Sequence, residues 1–221
     1  MAFSILAVVM MAGSLRMPLV RLIDASGGSI RTIEHLGRTY VPANPGWDHV
    51  VANMSLVPVV AACMGPVAGL GAARAVMSHL SILIDGTSQL FVAGPPVVRH
   101  ATGQELDKEE LGGARVHGRS GAIDRVVPDE AAALAAIRQF LSYLPSSVHE
   151  LPPVADPVPA ATGTDVLASL VPRNRRQPYR LRHLLDAVFD EGSTFSMNGY
   201  GGSVYTGLAR LEGHPVGVVA T

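Results

Sequence analysis

The stretch "MGPVAGLGAAR", Met64 to Arg74, decides how the rest of the chain is read. It follows a continuous apolar run, Val57 to Cys63, and leads into an alanine-rich segment, Leu70 to Ser78, of helical composition. A second apolar run, Leu80 to Ile84, closes the unit. Continuous apolar strands alternating with a helix predict a parallel sheet covered on both faces, built from a strand, a crossover helix and a strand. Gly65, Pro66, Gly69 and Gly71 crowd the corner between strand and helix, yet no acid, base or nucleophile stands between 64 and 73. The candidate chemical group there is the backbone itself.

Working toward the N-terminus, Leu19 to Asp24 reads as another apolar strand with Arg21 inserted, followed by a second glycine-rich corner, "ASGGS" at 25–29. The opening "MAFSILAVVMMAG" has no Lys or Arg before its apolar run and is too short to span a bilayer. It is therefore read as a helix buried between layers rather than a secretion signal or an anchor. Working toward the C-terminus, Gln89 to Val92 and Ala122 to Val127 are strands. Asp107 caps a short helix "KEELGG" ended by Gly112 and Gly113, and a strong helix runs from Glu130 to Tyr143 before Pro145. Residues 146–164, rich in Pro, Ala and Val, predict an extended linker. The expected organisation is thus a first domain over 1–145, a linker over 146–164 and the beginning of a second domain over 165–221. That last part holds a basic stretch, a helix from Arg180 to Val188, the turn "NGYGGS" and two strands joined by "EGHP".

Composition excludes several functions. With 17 Lys and Arg against 18 Asp and Glu, the chain is balanced in charge, and neither nucleic acid nor a membrane surface is an expected partner. Cys63 is the single cysteine, so no internal disulfide forms and a reducing, cytoplasmic setting is expected. There is no Walker loop. "GLGAAR" at 69–74 starts like a dinucleotide fingerprint, but Arg74 takes the place of its last glycine. The eight histidines are scattered and no HExxH occurs, so no metal is expected. Ser120, in "GRSGA", is not a nucleophile elbow, and Cys63 in its apolar strand reads as an inert buried thiol.

Two glycine-rich corners remain, each after a buried strand. Glycine lets a ligand approach main-chain N–H groups, and the first amides of a helix lack intrahelical acceptors. Two such corners at one sheet edge can aim two N–H groups at one oxygen and stabilise an oxyanion. Tight turns that merely pack strand on helix produce the same pattern, so both readings stand on pattern alone.

"MGPVAGLGAARAVMSH", "TSQLFVAGPPVVRHATGQELDKEELGGARVHGRSGAIDRVV" and "RQFLSYLP" resemble the carboxyltransferase (beta) subunit of biotin-dependent acyl-CoA carboxylases, the acetyl-, propionyl- and methylcrotonyl-CoA enzymes of fatty acid metabolism. The resemblance runs from about Met17 to Thr221 and implies an α/β, crotonase-like fold with two such domains, the first for the acyl-CoA and the second for biotin. It implies that the N–H groups of Gly28 and Leu70 form the oxyanion hole, with Gly27, Gly69 and Gly71 shaping the corners and Gly65 and Ala68 completing the acyl-CoA site. Leu70 stands where many members have glycine, and "DASGGS" departs from the commoner "DSGGA". The implied chemistry moves a carboxyl group from carboxybiotin, held on a partner carrier domain, to the α-carbon of the thioester. The cofactor supplies the base, which explains a corner without titratable side chains. The implied partners are a biotin carboxylase and biotin carrier subunit and further copies of the chain. The family subunit is much longer, so the chain is expected to be a truncated form. Two alternatives are a non-enzymatic remnant or scaffold that pairs with full-length subunits, and another crotonase-type acyl-CoA enzyme using an acid or base among His79, Asp85, His100, Glu105 and His117. The basic run Arg173 to Arg182 is either a solvated face or a contact for coenzyme A phosphates.

Overall fold

The structure, a computed structural model, describes residues 2–27, 34–38, 46–162, 166–174, 176–197 and 201–221. They cluster into two compact units, Met1–Ile137 with Ser146–His149, and Arg138–Pro145 with Glu150–Thr221.

The first unit is an α/β layer around the predicted parallel sheet. Its strands are β1 (Leu19–Ala25), β2 (Val59–Ala68), β3 (Leu80–Ile84), β4 (Gln89–Phe91) and β5 (Arg125–Val127). Their order is β1-β2-β3-β5, with β4 also on β2, and every pairing is parallel. All five residues of β3 are buried, as its unbroken apolar sequence requires. The strand β2 runs five residues beyond the expected end at Cys63, through Gly65 and Pro66. It does so by changing partner: Val60–Cys63 pair with β3, whereas Pro66–Ala68 pair with β4. Along β1 the same bend shows as a bulge, with Ile23 opposite Cys63 but Ala25 opposite Val67. The buried Ser88 hydroxyl holds the switch point. It donates to the Cys63 carbonyl at 2.7 Å and accepts from Ile84 N–H at 2.8 Å.

The first helix, α1 (Ala2–Leu15), overturns one expectation. It is not buried all round. Among its described side chains only Val9 and Ala12 are buried, while Ile5, Val8, Met10, Met11 and Leu15 are exposed. Among the described residues it packs along one stripe, against α2 (Trp47–Leu56), a helix the sequence reading did not identify, and the start of the sheet at Leu19 and Val59. The two helices approach at Gly13, where an added Cβ would lie 2.5 Å from the Asn53 side-chain oxygen, and the buried Asn53 amide donates to Val9 O at 2.8 Å.

The helix α3 (Leu70–Val76) is the predicted crossover between β2 and β3. Beyond β4 come α4 (Pro95–Thr102), α5 (Lys108–Gly112), α6 (Ala114–Ser120) and α7 (Glu130–Ser142). The helix α5 starts on a full capping box, Asp107 accepting from Glu110 N–H and Glu110 from Asp107 N–H. Neither α4 nor α6 has a buried residue, and neither was expected.

The second unit holds α8 (Leu167–Leu170), α9 (Leu181–Val188) and a three-stranded antiparallel sheet of β6 (Phe195–Ser196), β7 (Tyr205–Leu211) and β8 (His214–Ala220). The predicted "EGHP" junction is a two-residue hairpin turn, with Glu212 at φ 50 and Gly213 at φ 80. The Asp190 carboxylate accepts both turn amides, at 2.8 and 2.7 Å. Residues 151–160 carry no helix or strand, and Ala155 N–H donates to Gly213 O. The predicted "NGYGGS" turn falls mostly on residues outside those described.

Candidate functional site

The two glycine-rich corners meet. Gly27, the last described residue of the first corner, stands at φ +90, and a Cβ added there would lie 3.5 Å from Ala68 Cβ. Gly28 lies outside the described residues. The second corner begins where β2 bends at Gly65, packed against the Asp24 carboxyl group so closely that a Cβ would sit 2.8 Å from it. It ends at Gly69, whose φ of 60 and ψ of −122 are open to glycine and strained for other residues. Gly71 then lets α3 lie against the end of β1, where a Cβ would be 2.7 Å from Ala25 Cβ.

The amides of this corner divide into two sets. Gly69 N–H is already committed, donating to Phe91 O at 3.2 Å. The first intrahelical bond is Ala73 N–H to Gly69 O at 3.1 Å. The N–H groups of Leu70, Gly71 and Ala72 therefore have no acceptor inside α3 and carry the positive end of its dipole. The Leu70 residue is half exposed. Six of the seven expected site residues, Gly27, Gly65, Ala68, Gly69, Leu70 and Gly71, thus lie in one described neighbourhood.

Side chains brace the corner from behind. The α5–α6 segment grips β4. An added Cβ at Gly112 would come within 2.2 Å of Leu90 O, His117 Nε2 donates to that same carbonyl at 2.6 Å, and the Gln89 amide bonds the Glu109 carboxylate. Because the end of β4 holds Gly69 N–H, this grip fixes the corner. On the other side, Arg21 Nη1 donates to Arg74 O at 3.1 Å and Met77 O at 3.0 Å, capping the C-terminal end of α3. Burial, and then the neighbouring Arg74 charge, hold the Arg21 pKa below its ordinary value. The Arg21–Arg74 pairing was missed. Its only sequence signal was one arginine inside an apolar strand.

The acids and bases weighed for hydratase-type chemistry are dispersed in bonding. His79 Nδ1 accepts from Val59 N–H at 3.0 Å and Nε2 donates to Met54 O at 3.1 Å, so it caps the last turn of α2. Glu105 is paired with Arg99 at the exposed surface. His117 is spent on Leu90 O, with Ser120 Oγ at 3.2 Å from its other nitrogen. Burial pushes the Cys63 thiol up to about 12, which makes it a poor nucleophile. Among the described residues, no three His, Cys, Asp or Glu side chains gather as a metal site, and no helix is long and apolar enough to cross a membrane.

Comparison with known proteins follows the same line. The family profile described as the carboxyl transferase domain matches residues 1–221. The chain is 33% identical over 211 residues to the propionyl-CoA carboxylase carboxyltransferase subunit of Haloferax mediterranei, covering 92% of this chain and 39% of that protein. It is 34% identical over 207 residues to the beta4 subunit of the biotin-dependent long chain acyl-coenzyme A carboxylase of Mycobacterium tuberculosis, again with 92% and 39% covered. Among solved structures, a transcarboxylase 12S with hydrolysed methylmalonyl-coenzyme A bound superposes with a TM-score of 0.84 at 26% identity, over 100% of this chain and 42% of that one. The chain therefore spans about two fifths of the length of the relatives it matches.

Proposed function

The chain belongs to the carboxyl transferase domain family, and from that premise we propose that it forms the acyl-CoA side of a biotin-dependent carboxyltransferase. The observation that carries this reading is the meeting of Gly27 with Ala68, beside a helix that opens on Leu70 with its first amides unsatisfied inside α3.

In this reading the thioester carbonyl lies over the corner and accepts from Leu70 N–H, with Gly28 N–H as the second donor. As the α-carbon loses its proton, negative charge gathers on that oxygen. The Leu70 donor, already held in place by Gly69, by β4 and by the Arg21 cap, strengthens most at that moment. One such donor contributes on the order of 3 kcal/mol to the enolate-like transition state. What carboxybiotin contributes when bound is the carboxyl group and the base for the α-proton. The residues present suit that division of labour, because residues 64–73 hold no titratable side chain to compete for the proton. The carrier domain and biotin carboxylase of the same system are the partners in this reading, with further copies of the chain and a cytoplasmic setting.

The test is calorimetric titration with propionyl-CoA and acetyl-CoA against free coenzyme A. Leu70→Pro removes the proposed donor at a position where proline suits the first turn of a helix. Binding of thioester should weaken by about fivefold in the variant, the worth of one neutral hydrogen bond of about 1 kcal/mol, while free coenzyme A binds as before. Equal thioester affinity in both proteins would remove Leu70 N–H from the site.

A further inference from the structure

The bond that ties His117 to β4 also fixes which of its ring nitrogens can take a proton. Leu90 O can only accept, so the hydrogen of the neutral imidazole sits on Nε2, in the 2.6 Å bond to that carbonyl. Nδ1 then carries the free lone pair, and it faces Ser120 Oγ at 3.2 Å. The other acceptor within reach of that hydroxyl, His117 O, lies farther off at 3.4 Å. Helical spacing sets the pair, since His117 and Ser120 are three residues apart on α6. Ser120 is the last residue of the helix and is exposed, whereas His117 is partly buried. The Ser120 oxygen accepts from Ala122 N–H at 3.2 Å, which leaves it a second lone pair. Gly121 follows at φ 75, and among the described residues its N–H has no acceptor. This is not the strand-to-helix elbow of a GxSxG serine. It nevertheless assembles a hydroxyl, a base, a carbonyl that orients the base, and an unpaired amide directly after the serine.

We propose that Ser120 and His117 form a nucleophilic dyad that takes the acyl group of small activated esters. Ser120 Oγ attacks the acyl carbon, and its proton passes to His117 Nδ1. The bond from that carbon to the leaving oxygen breaks, and Nδ1 gives the proton to the departing alcohol. Acyl-Ser120 and the free alcohol result. Water, activated by the same nitrogen, then releases the carboxylic acid and restores the hydroxyl. Gly121 N–H is the donor for the oxyanion that forms in each step. The exposed place at a helix end suits short, unhindered acyl groups. Leu90 O holds the ring in one orientation throughout, so the bond that braces β4 also positions the base. A serine that merely closes a helix has ordinary reactivity, and Ser142 is such a case. It is the exposed last residue of α7, and its hydroxyl donates to Gln139 O at 2.7 Å. The inference is independent of the acyl-CoA reading.

The test treats the whole chain with an alkyl fluorophosphonate, which bonds phosphorus to an activated serine oxygen with loss of fluoride. Peptide mass spectrometry then follows each serine. Ser120 should be labelled about 100-fold faster than Ser142, the low end of what a positioned general base contributes. His117→Gln keeps a side-chain N–H for Leu90 O but offers no ring nitrogen to take the proton. It should bring Ser120 down to the rate of Ser142. The wild-type chain should also hydrolyse 4-nitrophenyl acetate faster than Ser120→Ala does. Because the two serines are compared within one wild-type protein, the labelling decides the matter even where His117→Gln fails to fold. Equal labelling of Ser120 and Ser142, labelling of Ser120 unchanged in a folded His117→Gln chain, or ester hydrolysis unchanged by Ser120→Ala would overturn the proposal.

Discussion

At Gly69 the backbone takes φ 60 and ψ −122, the mirror image of the extended region, so Gly69→Ala forces an L-residue into strained geometry at about 1–3 kcal/mol. The added Cβ itself has room, its nearest atom being Val92 O at 3.8 Å. The substitution should lower the unfolding free energy by that amount and misalign the Leu70 amide, reducing thioester affinity together with stability. Cys63 makes an independent prediction. Its folded-state pKa, pushed up to about 12, lies above the unfolded value of about 8.5. A raised value stabilises the fold below the unfolded pKa, and that stabilisation fades as pH climbs from about 8.5 toward 12. Cys63→Ala should therefore flatten the decline of stability across that window, and a thiol reagent at neutral pH should modify the native chain only after denaturant is added. Wild type reacting at the rate of a free thiol would contradict the burial.

At the scale of elements, the bend of β2 is the feature on which the site depends. Ser88 holds the point where β2 leaves β3 for β4, and Ser88→Ala leaves a buried carbonyl and amide unsatisfied. A loss of about 1–3 kcal/mol is expected in denaturant unfolding. Gly112→Ala should be at least as damaging, because its Cβ would strike Leu90 O and displace the strand that holds Gly69 N–H. The elements also mark where sequence reading succeeds. The strands β1 and β3, the crossover α3, the Asp107 cap of α5 and the hairpin turn of the second unit are local signals: unbroken apolar runs, an Asp before a short helical run, a Glu-Gly pair. The continuation of β2 through Gly65 and Pro66 was not legible, since only the arrival of β4 makes a strand of a segment with turn composition. Helices α4 and α6 bury nothing, so they have no apolar stripe to read. Of the site, the two corners were legible as glycine clusters. The pairing of Arg21 with the end of α3 and the grip of His117 on β4 join residues 56 and 27 positions apart, and pattern alone carries no such distance.

Taken whole, the chain spans 39% of the length of the relatives it matches. On α1 and the β1 edge, Val8, Met11 and Leu22 are each more than half exposed and lie near one another, besides more exposed apolar residues elsewhere such as Val92, Leu151 and Val219. Contiguous exposed apolar surface of this kind binds hydrophobic dyes and partners. The native chain should enhance the fluorescence of an anilinonaphthalene dye, and Val8→Lys with Met11→Lys should reduce it without lowering stability, since neither side chain is buried. A dye signal unchanged by the double variant would place the apolar surface elsewhere.

The central claim is that a backbone amide at the head of α3 polarises a thioester carbonyl. It is tested most directly by the carbonyl resonance of propionyl-CoA labelled with carbon-13 at C1. The account predicts a downfield shift on binding to the wild-type chain, which is lost or sharply reduced in Leu70→Pro. A bound carbonyl that resonates as it does in free solution, or one shifted equally in both proteins, would contradict it.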